Sequence, residues 1–165
     1  MELIDLYNSN GEKTGRQILR GTPVSPDEFF LVVHLCVFDS SGRMLIQRRS
    51  PEKPRWGGIW DLSAGGFVLA GESSIEAVSR EASEELGLSV CGSPRFCLRA
   101  RFSQVLDDFY CLYEDIDLNS LTLQKEEVSE VRWASREEVL SLLDQEQFIS
   151  YERSILETLF VPPAS

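Results

Sequence analysis

One histidine, His34, stands in 165 residues, and the four cysteines, Cys36, Cys91, Cys97 and Cys111, form no CxxC pair. That scarcity excludes a zinc site of ordinary spacing, and reduced, mostly buried thiols are the expectation. Basic residues are also few: 16 Lys and Arg stand against 27 Asp and Glu, a net charge of −11. Nucleic-acid binders carry a basic footprint and anionic membranes attract basic segments, so neither partner is expected. No run of 18 apolar residues occurs, and the opening MELIDLYNSNGEKTG has neither a basic nor an apolar leader segment. No membrane span or signal peptide is therefore expected, and the reading is a cytoplasmic protein. Internal repeats and low-complexity runs are missing as well.

What remains is ordinary globular composition, 42% hydrophobic and 26% charged, at a length that suits one domain over 1–165. Segments 2–7 and 15–20 flank a turn at Asn10-Gly11 and read as a hairpin, and the two prolines of 21–28 make a connecting loop. The run FFLVVHLCVF, 29–38, has the continuous apolar character of a strand buried on both faces. A turn at 39–42 leads to a strand at 44–48, an ordered loop at 50–58, and short strands at 59–64 and 66–69. Ser73 and Glu76 have capping-box spacing, so a helix should run from there to Leu86, with Gly87 as a left-handed cap. Ile75, Val78, Ala82 and Leu86 mark its core face. A hairpin of 95–104 and 108–117, a strand at 128–134, and helices at 135–144 and 149–160 complete an α+β chain. The last two helices carry apolar residues at helical spacing that close a core.

Glu81, Glu84 and Glu85 sit at i, i+3 and i+4, three carboxylates on one helical stripe. Like charges at that spacing repel, and the second half of a helix is the wrong end of its dipole for them. A solvated acidic face is one account. Clustered oxygen ligands for a hard cation such as Mg²⁺ or Mn²⁺ are the other. An acidic protein that handles an anionic substrate needs such an ion to invert the local field.

From Gly66 to Leu88 the chain reads GFVLAGESSIEAVSREASEELGL. Gly66, Glu72, Arg80, Glu81, Ala82, Glu84, Glu85, Gly87 and Leu88 fall at the spacing of the Nudix box, G-x5-E-x7-R-E-U-x-E-E-x-G-U, where U is aliphatic. The segment resembles that box, and the order of strands and helices extends the likeness over about 28–145. The resemblance implies a Nudix fold, an α/β/α sandwich whose mixed sheet is flanked by helices, with box 66–88 as loop–helix–loop. It implies Mg²⁺-dependent hydrolysis of the diphosphate bond of a nucleoside diphosphate linked to another group, Mn²⁺ being the alternative ion. By resemblance Glu84 and Glu85 are metal ligands and Glu81 is a third ligand or water-orienting carboxylate. Arg80 orients the glutamates, Glu72 locks the loop, and Gly66 admits backbone to the metal. Some members use a further glutamate as base. Glu127, abutting the 128–134 strand, is favoured over Glu126 for that role and as an added ligand.

The flank LIQRRSPEKPRWGGIWDLSAGGFVLAGE resembles the branch near isopentenyl-diphosphate isomerase. Aligned by eye, however, that enzyme's cysteine falls at Gly65 and its histidines at Phe67 and near Phe30. Its proton relay is therefore lost while the box is intact, and hydrolase ranks above isomerase. Arg48 and Arg49 can reach phosphate or stand solvated. Trp56 and Trp60 serve as a platform for a flat group or as core. His34 is a satisfied core histidine or a substrate contact, and Asp61 caps the loop. A non-catalytic nucleotide-binding module is the reading from a different class, disfavoured because Glu84 and Glu85 are both kept. The expected partner is a small diphosphate, and a homodimer is open.

Overall fold

The computed structural model describes residues 1–90 and 94–164. Alternation of apolar and polar residues and well-placed turn glycines set most of its elements. Strands β1 (Leu3–Tyr7) and β2 (Lys13–Leu19) form their own two-stranded sheet, with Gly11 at φ 80° in the turn. Tyr7 exchanges backbone hydrogen bonds with Phe29, which fastens this hairpin to the rest of the molecule.

The main sheet has seven strands: β3 (Phe30–Phe38), β4 (Met44–Arg49), β5 (Trp60–Asp61), β6 (Ala64–Phe67), β7 (Arg95–Phe102), β8 (Val105–Tyr113) and β9 (Val128–Ala134). The order β5-β4-β3-β8-β7 is mixed, because β3 and β8 run parallel while the other pairs are antiparallel. β3 and β4 pair only at Phe38 and Met44 and then part like a fork. β6 lies along the free edge of β3, β5 along that of β4, and β9 on the far edge of β4. The buried Ser63 hydroxyl spans the fork, accepting from Val37 N on β3 and donating to Leu45 O on β4.

Helix α1 (Ser74–Leu86) packs on one face, and α2 (Arg136–Asp144) and α3 (Arg153–Leu159) on the other. Leu31, Val33, Leu35 and Val37 point to α1, while Cys36 and Phe38 point to the α2–α3 side. The Ser73–Glu76 capping box and the Gly87 left-handed cap, φ 63°, both form. Burying a side chain such as Val78 or Leu86 contributes roughly 1.5–3 kcal/mol, which is what holds a 13-residue helix in place.

Several expectations shift. Ile75 is 38% exposed at the first helical turn, and Ala77 lies in the buried stripe instead. Phe30, Val32 and His34 are only half-buried, so β3 is covered on both faces in its second half alone. The hairpin of β7 and β8 turns at Ser103-Gln104, where Ser103 has φ 54°, and β8 ends at Tyr113. β6 starts two residues early. α3 begins at Arg153, because 147–149 pair with Trp60 as extended chain. A short 3₁₀ turn at Leu118–Ser120 carried no sequence signal. Cys36 and Cys111 are buried but Cys97 is exposed, and Cys91 lies outside the described residues. No helix among the described residues is long and apolar enough to cross a membrane.

Candidate active site

Helical geometry splits the three carboxylates between two environments. Glu85 falls inside the buried stripe of α1 and is 7% exposed, while Glu84 points outward with its side chain 53% exposed. Glu81 lies between them, largely covered, against β6. The solvated-face account of the stripe therefore holds for Glu84 alone.

Glu85 is held at the mouth of the fork. Its Oε1 accepts from the backbone N–H of Gly65 at 2.8 Å, and its Oε2 accepts from Gln47 Nε2 at 3.2 Å. The same Gln47 amide donates to Ser63 O at 3.0 Å. Burial pushes the Glu85 carboxyl up to about 8; the Gly65 and Gln47 bonds oppose this, and the charge of Glu81 adds to it. Burial likewise pushes Glu81 up to about 7, against the pull of Arg80.

Arg80 is the organiser. Its guanidinium grips Glu72 through Nε (2.6 Å) and Nη2 (3.1 Å). It also reaches Glu81 Oε1 (2.9 Å), Glu84 Oε2 (3.3 Å) and Phe67 O (2.9 Å). Glu72 in turn accepts from Leu69 N at 2.9 Å, so the loop before the helix is fixed from both ends. The hydrogen bonds to Glu72 raise the Arg80 pKa further, so its charge is permanent. Gly66 makes room for all of this: a Cβ there would stand 2.1 Å from Glu81 Oε1.

The N-terminal hairpin buttresses that loop. Asp5 Oδ2 accepts from Gly71 N at 2.8 Å and pairs with Lys13 at 2.9 Å, and Ala70 N donates to Leu3 O.

Sequence reasoning missed Gln47, Ser63 and the Gly65 amide. The one signal was a glutamine inside the apolar LIQRR strand, since a buried amide needs partners. The other named residues make no hydrogen bond to Glu81, Glu84 or Glu85 among the described residues. Glu127 is ion-paired with Lys53, and the neighbouring Glu126 lines a shallow groove with Ser50 and Lys125. Arg48 donates to Gly58 O at 2.7 Å and to Glu130, and Arg49 donates to Arg55 O and faces Asp61 at 3.7 Å. Both arginines thus brace the 50–61 loop. Trp56 is 45% exposed at φ 54° with the Arg55 guanidinium over its ring, and Trp60 is half-buried beneath Arg132. Asp61 is the loop cap: it accepts from Leu62 N and from the Tyr151 hydroxyl at 2.6 Å, and burial raises its pKa.

As they stand, no three His, Cys, Asp or Glu side chains among the described residues converge on one point. Arg80 draws Glu81 and Glu84, while Glu85 turns to β6. The donor set still fits a hard divalent cation. It is all oxygen, it lies beside a glycine backbone, and two of its members are carboxylates whose burial disfavours their charge unless a cation joins them.

Comparison with known proteins places the chain in a family. A family model described as NUDIX domain matches residues 28–155. Over 152 residues the chain is 41% identical to an uncharacterized Nudix hydrolase of Listeria monocytogenes, covering 92% of this chain and 90% of the relative. It is 33% identical over 150 residues to an isopentenyl-diphosphate Delta-isomerase of Brevibacterium linens, covering 87% and 82%. Among solved structures, DR0079 from Deinococcus radiodurans superposes with a TM-score of 0.79 at 28% identity, covering 94% of this chain and 98% of that one. With a family model spanning most of its length and relatives covered nearly end to end, the chain belongs to the Nudix family.

Proposed function

We propose that the protein hydrolyses the diphosphate bond of a nucleoside diphosphate linked to another group, with Mg²⁺ as the ion and Mn²⁺ as its substitute. One observation carries the reading: Arg80 holds Glu81 and Glu84 on the stripe of α1 that also carries the buried Glu85, and Glu81 lies against Gly66. A bound divalent ion would neutralise the diphosphate and sharpen a water molecule as nucleophile. Glu81, Glu84 and Glu85, with the Gly66 carbonyl, would hold it. Arg80 keeps Glu81 and Glu84 aimed and stays charged throughout. Glu85, anchored by Gly65 and Gln47, supplies a fixed carboxylate in a site that excludes bulk water. Glu81 is the group we assign to orient the attacking water, because Arg80 fixes its carboxylate beside Gly66. Glu127 can join as a ligand or base only when its pair with Lys53 opens. Arg48, Arg49, Trp56 and Trp60 enter as contacts to the far side of the substrate.

The isomerase reading finds less support, since Gly65 and Phe67 offer neither thiol nor imidazole where proton transfer to carbon needs them. The test is Mg²⁺-dependent turnover of a panel of nucleoside diphosphate derivatives and prenyl diphosphates, products being weighed by mass spectrometry. Hydrolysis of one member, abolished in Glu85→Gln, is expected. Interconversion of isopentenyl and dimethylallyl diphosphate without hydrolysis would overturn the reading.

A further inference from the structure

On the sheet face away from α1, the first half of β3 presents Phe30, Val32 and His34. Pairing sets Gly65 beside His34, and both Phe67 and Asp107 beside Val32. The core beneath α2 and α3 covers this face only from Cys36 onward. These six residues are each partly exposed and none is fully open, and they make a floor that solvent reaches. Arg20 from the hairpin walls one side, its guanidinium 4.1 Å above the Phe67 ring. Tyr151 walls the other, edge-on to His34 at 5.4 Å. Through Gly65 and Gly66 this face adjoins the carboxylate site.

The floor has two ends. Phe30 and Phe67 lie stacked, centroids 5.4 Å apart, an apolar bed for a flat ring. At the other end His34 Nε2 bonds Asp107 Oδ1 at 2.9 Å, and the His34 ring is fixed by stacking on Phe109 at 4.8 Å. The second oxygen of Asp107 has no hydrogen-bond partner among the described residues. Gly65 keeps the space beside this pair clear: a Cβ there would meet His34 Nδ1 at 3.0 Å and Val33 O at 2.7 Å. A half-buried carboxylate oxygen with a lone pair to spare selects an N–H donor. A prenyl chain would cover it without satisfying it, and a keto group would oppose oxygen to oxygen.

Resting on the diphosphate-hydrolase reading of the neighbouring carboxylates, we infer that Asp107, oriented by His34, is a specificity-determining residue. It reads the exocyclic amino group of the substrate's nucleobase while Phe30 and Phe67 carry the ring.

Calorimetric titration of the full chain with AMP and with IMP, in Mg²⁺ buffer, tests this without requiring turnover. The two probes differ at one edge of the purine: AMP carries an exocyclic amino group beside a bare N1, and IMP a keto group beside N1–H. AMP is expected to bind about tenfold more tightly, the worth of one good hydrogen bond. Asp107→Asn, whose amide donates to a keto oxygen, is expected to erase or invert that ratio. In turnover of ADP-ribose and its hypoxanthine analogue, the same change is expected in KM, with kcat little moved. If Asp107→Asn fails to fold, Phe67→Leu serves instead and should weaken AMP and IMP alike. Equal affinities in the wild type, a ratio untouched in Asp107→Asn, or tighter binding of dimethylallyl diphosphate than of AMP overturns the inference. A preference for AMP with no hydrolysis of any diphosphate upholds this site and overturns the hydrolase reading instead.

Discussion

The Gln47 amide donates to Glu85 Oε2 at 3.2 Å and thereby ties β4 to α1 across the fork of the sheet. The link joins residues 38 apart in sequence, and it is the only side-chain hydrogen bond to the Glu85 carboxylate among the described residues. Replacing Gln47 by Leu keeps the volume and removes the donor. Turnover should fall about tenfold through kcat, since a carboxylate loose by an ångström loses alignment. The melting temperature should drop modestly, because Ser63 O also loses its donor at a cost of about 1–2 kcal/mol. Steady-state kinetics beside a thermal melt separates the two effects.

The buried carboxylate makes the protein pH-sensitive in a direction that can be worked out. Glu85 titrates near its ordinary value of 4.5 when unfolded and at about 8 when folded. Between those values the folded protein keeps a proton that the unfolded chain has released. Its contribution is therefore full below about 4.5 and declines as pH rises toward 8. Glu85→Gln should remove that share, leaving the smaller one owed to Glu81. At pH 8 the variant should be the more stable by about 2 kcal/mol, with the difference closing near pH 4.5. Melting curves across that window, run without divalent ions, check it. Added Mg²⁺ should then stabilise the wild type and not the variant.

Arg80 meets five acceptor atoms in the box, and no single ammonium can. Arg80→Lys keeps the charge and loses the fork, so kcat should fall roughly 100-fold despite the conservative exchange. A fall of less than threefold would show that charge alone suffices.

Gly66→Ala probes the space beside Glu81. The added methyl would sit 2.1 Å from Oε1, so the side chain must swing away. Activity should drop about 100-fold while the fold survives, because a carboxylate tip moves more easily than backbone. Circular dichroism and Mn²⁺ titration by electron paramagnetic resonance would register a retained fold with weakened ion binding.

Local signals in the sequence carried far. The capping box at Ser73 and Glu76 and the Gly87 cap formed where their chemistry placed them, and the strands formed in the expected order with several ends shifted. Non-local relationships did not show. That β3 and β4 part after one pair, that Ser63 bridges the gap and that Gln47 meets Glu85 depend on contacts between distant segments. Periodicity could line up Glu81, Glu84 and Glu85, but it could not say that the sheet would cover one and leave another open. Ile75 failed for the same reason, since a stripe on a helix says nothing of where its partner surface ends.

The family match begins at residue 28, yet Asp5, Leu3 and Lys13 hold the 70–72 loop from outside that boundary. The hairpin thus behaves as a splint on the loop that Arg80 grips, although it contributes no carboxylate to the stripe on α1. Truncation at the matched boundary would leave the box letters intact and their scaffold unbraced. In this molecule the stretch that carries the carboxylates and the stretch that braces their loop are different segments of the chain, so the site can be slackened from a place that holds none of its chemistry.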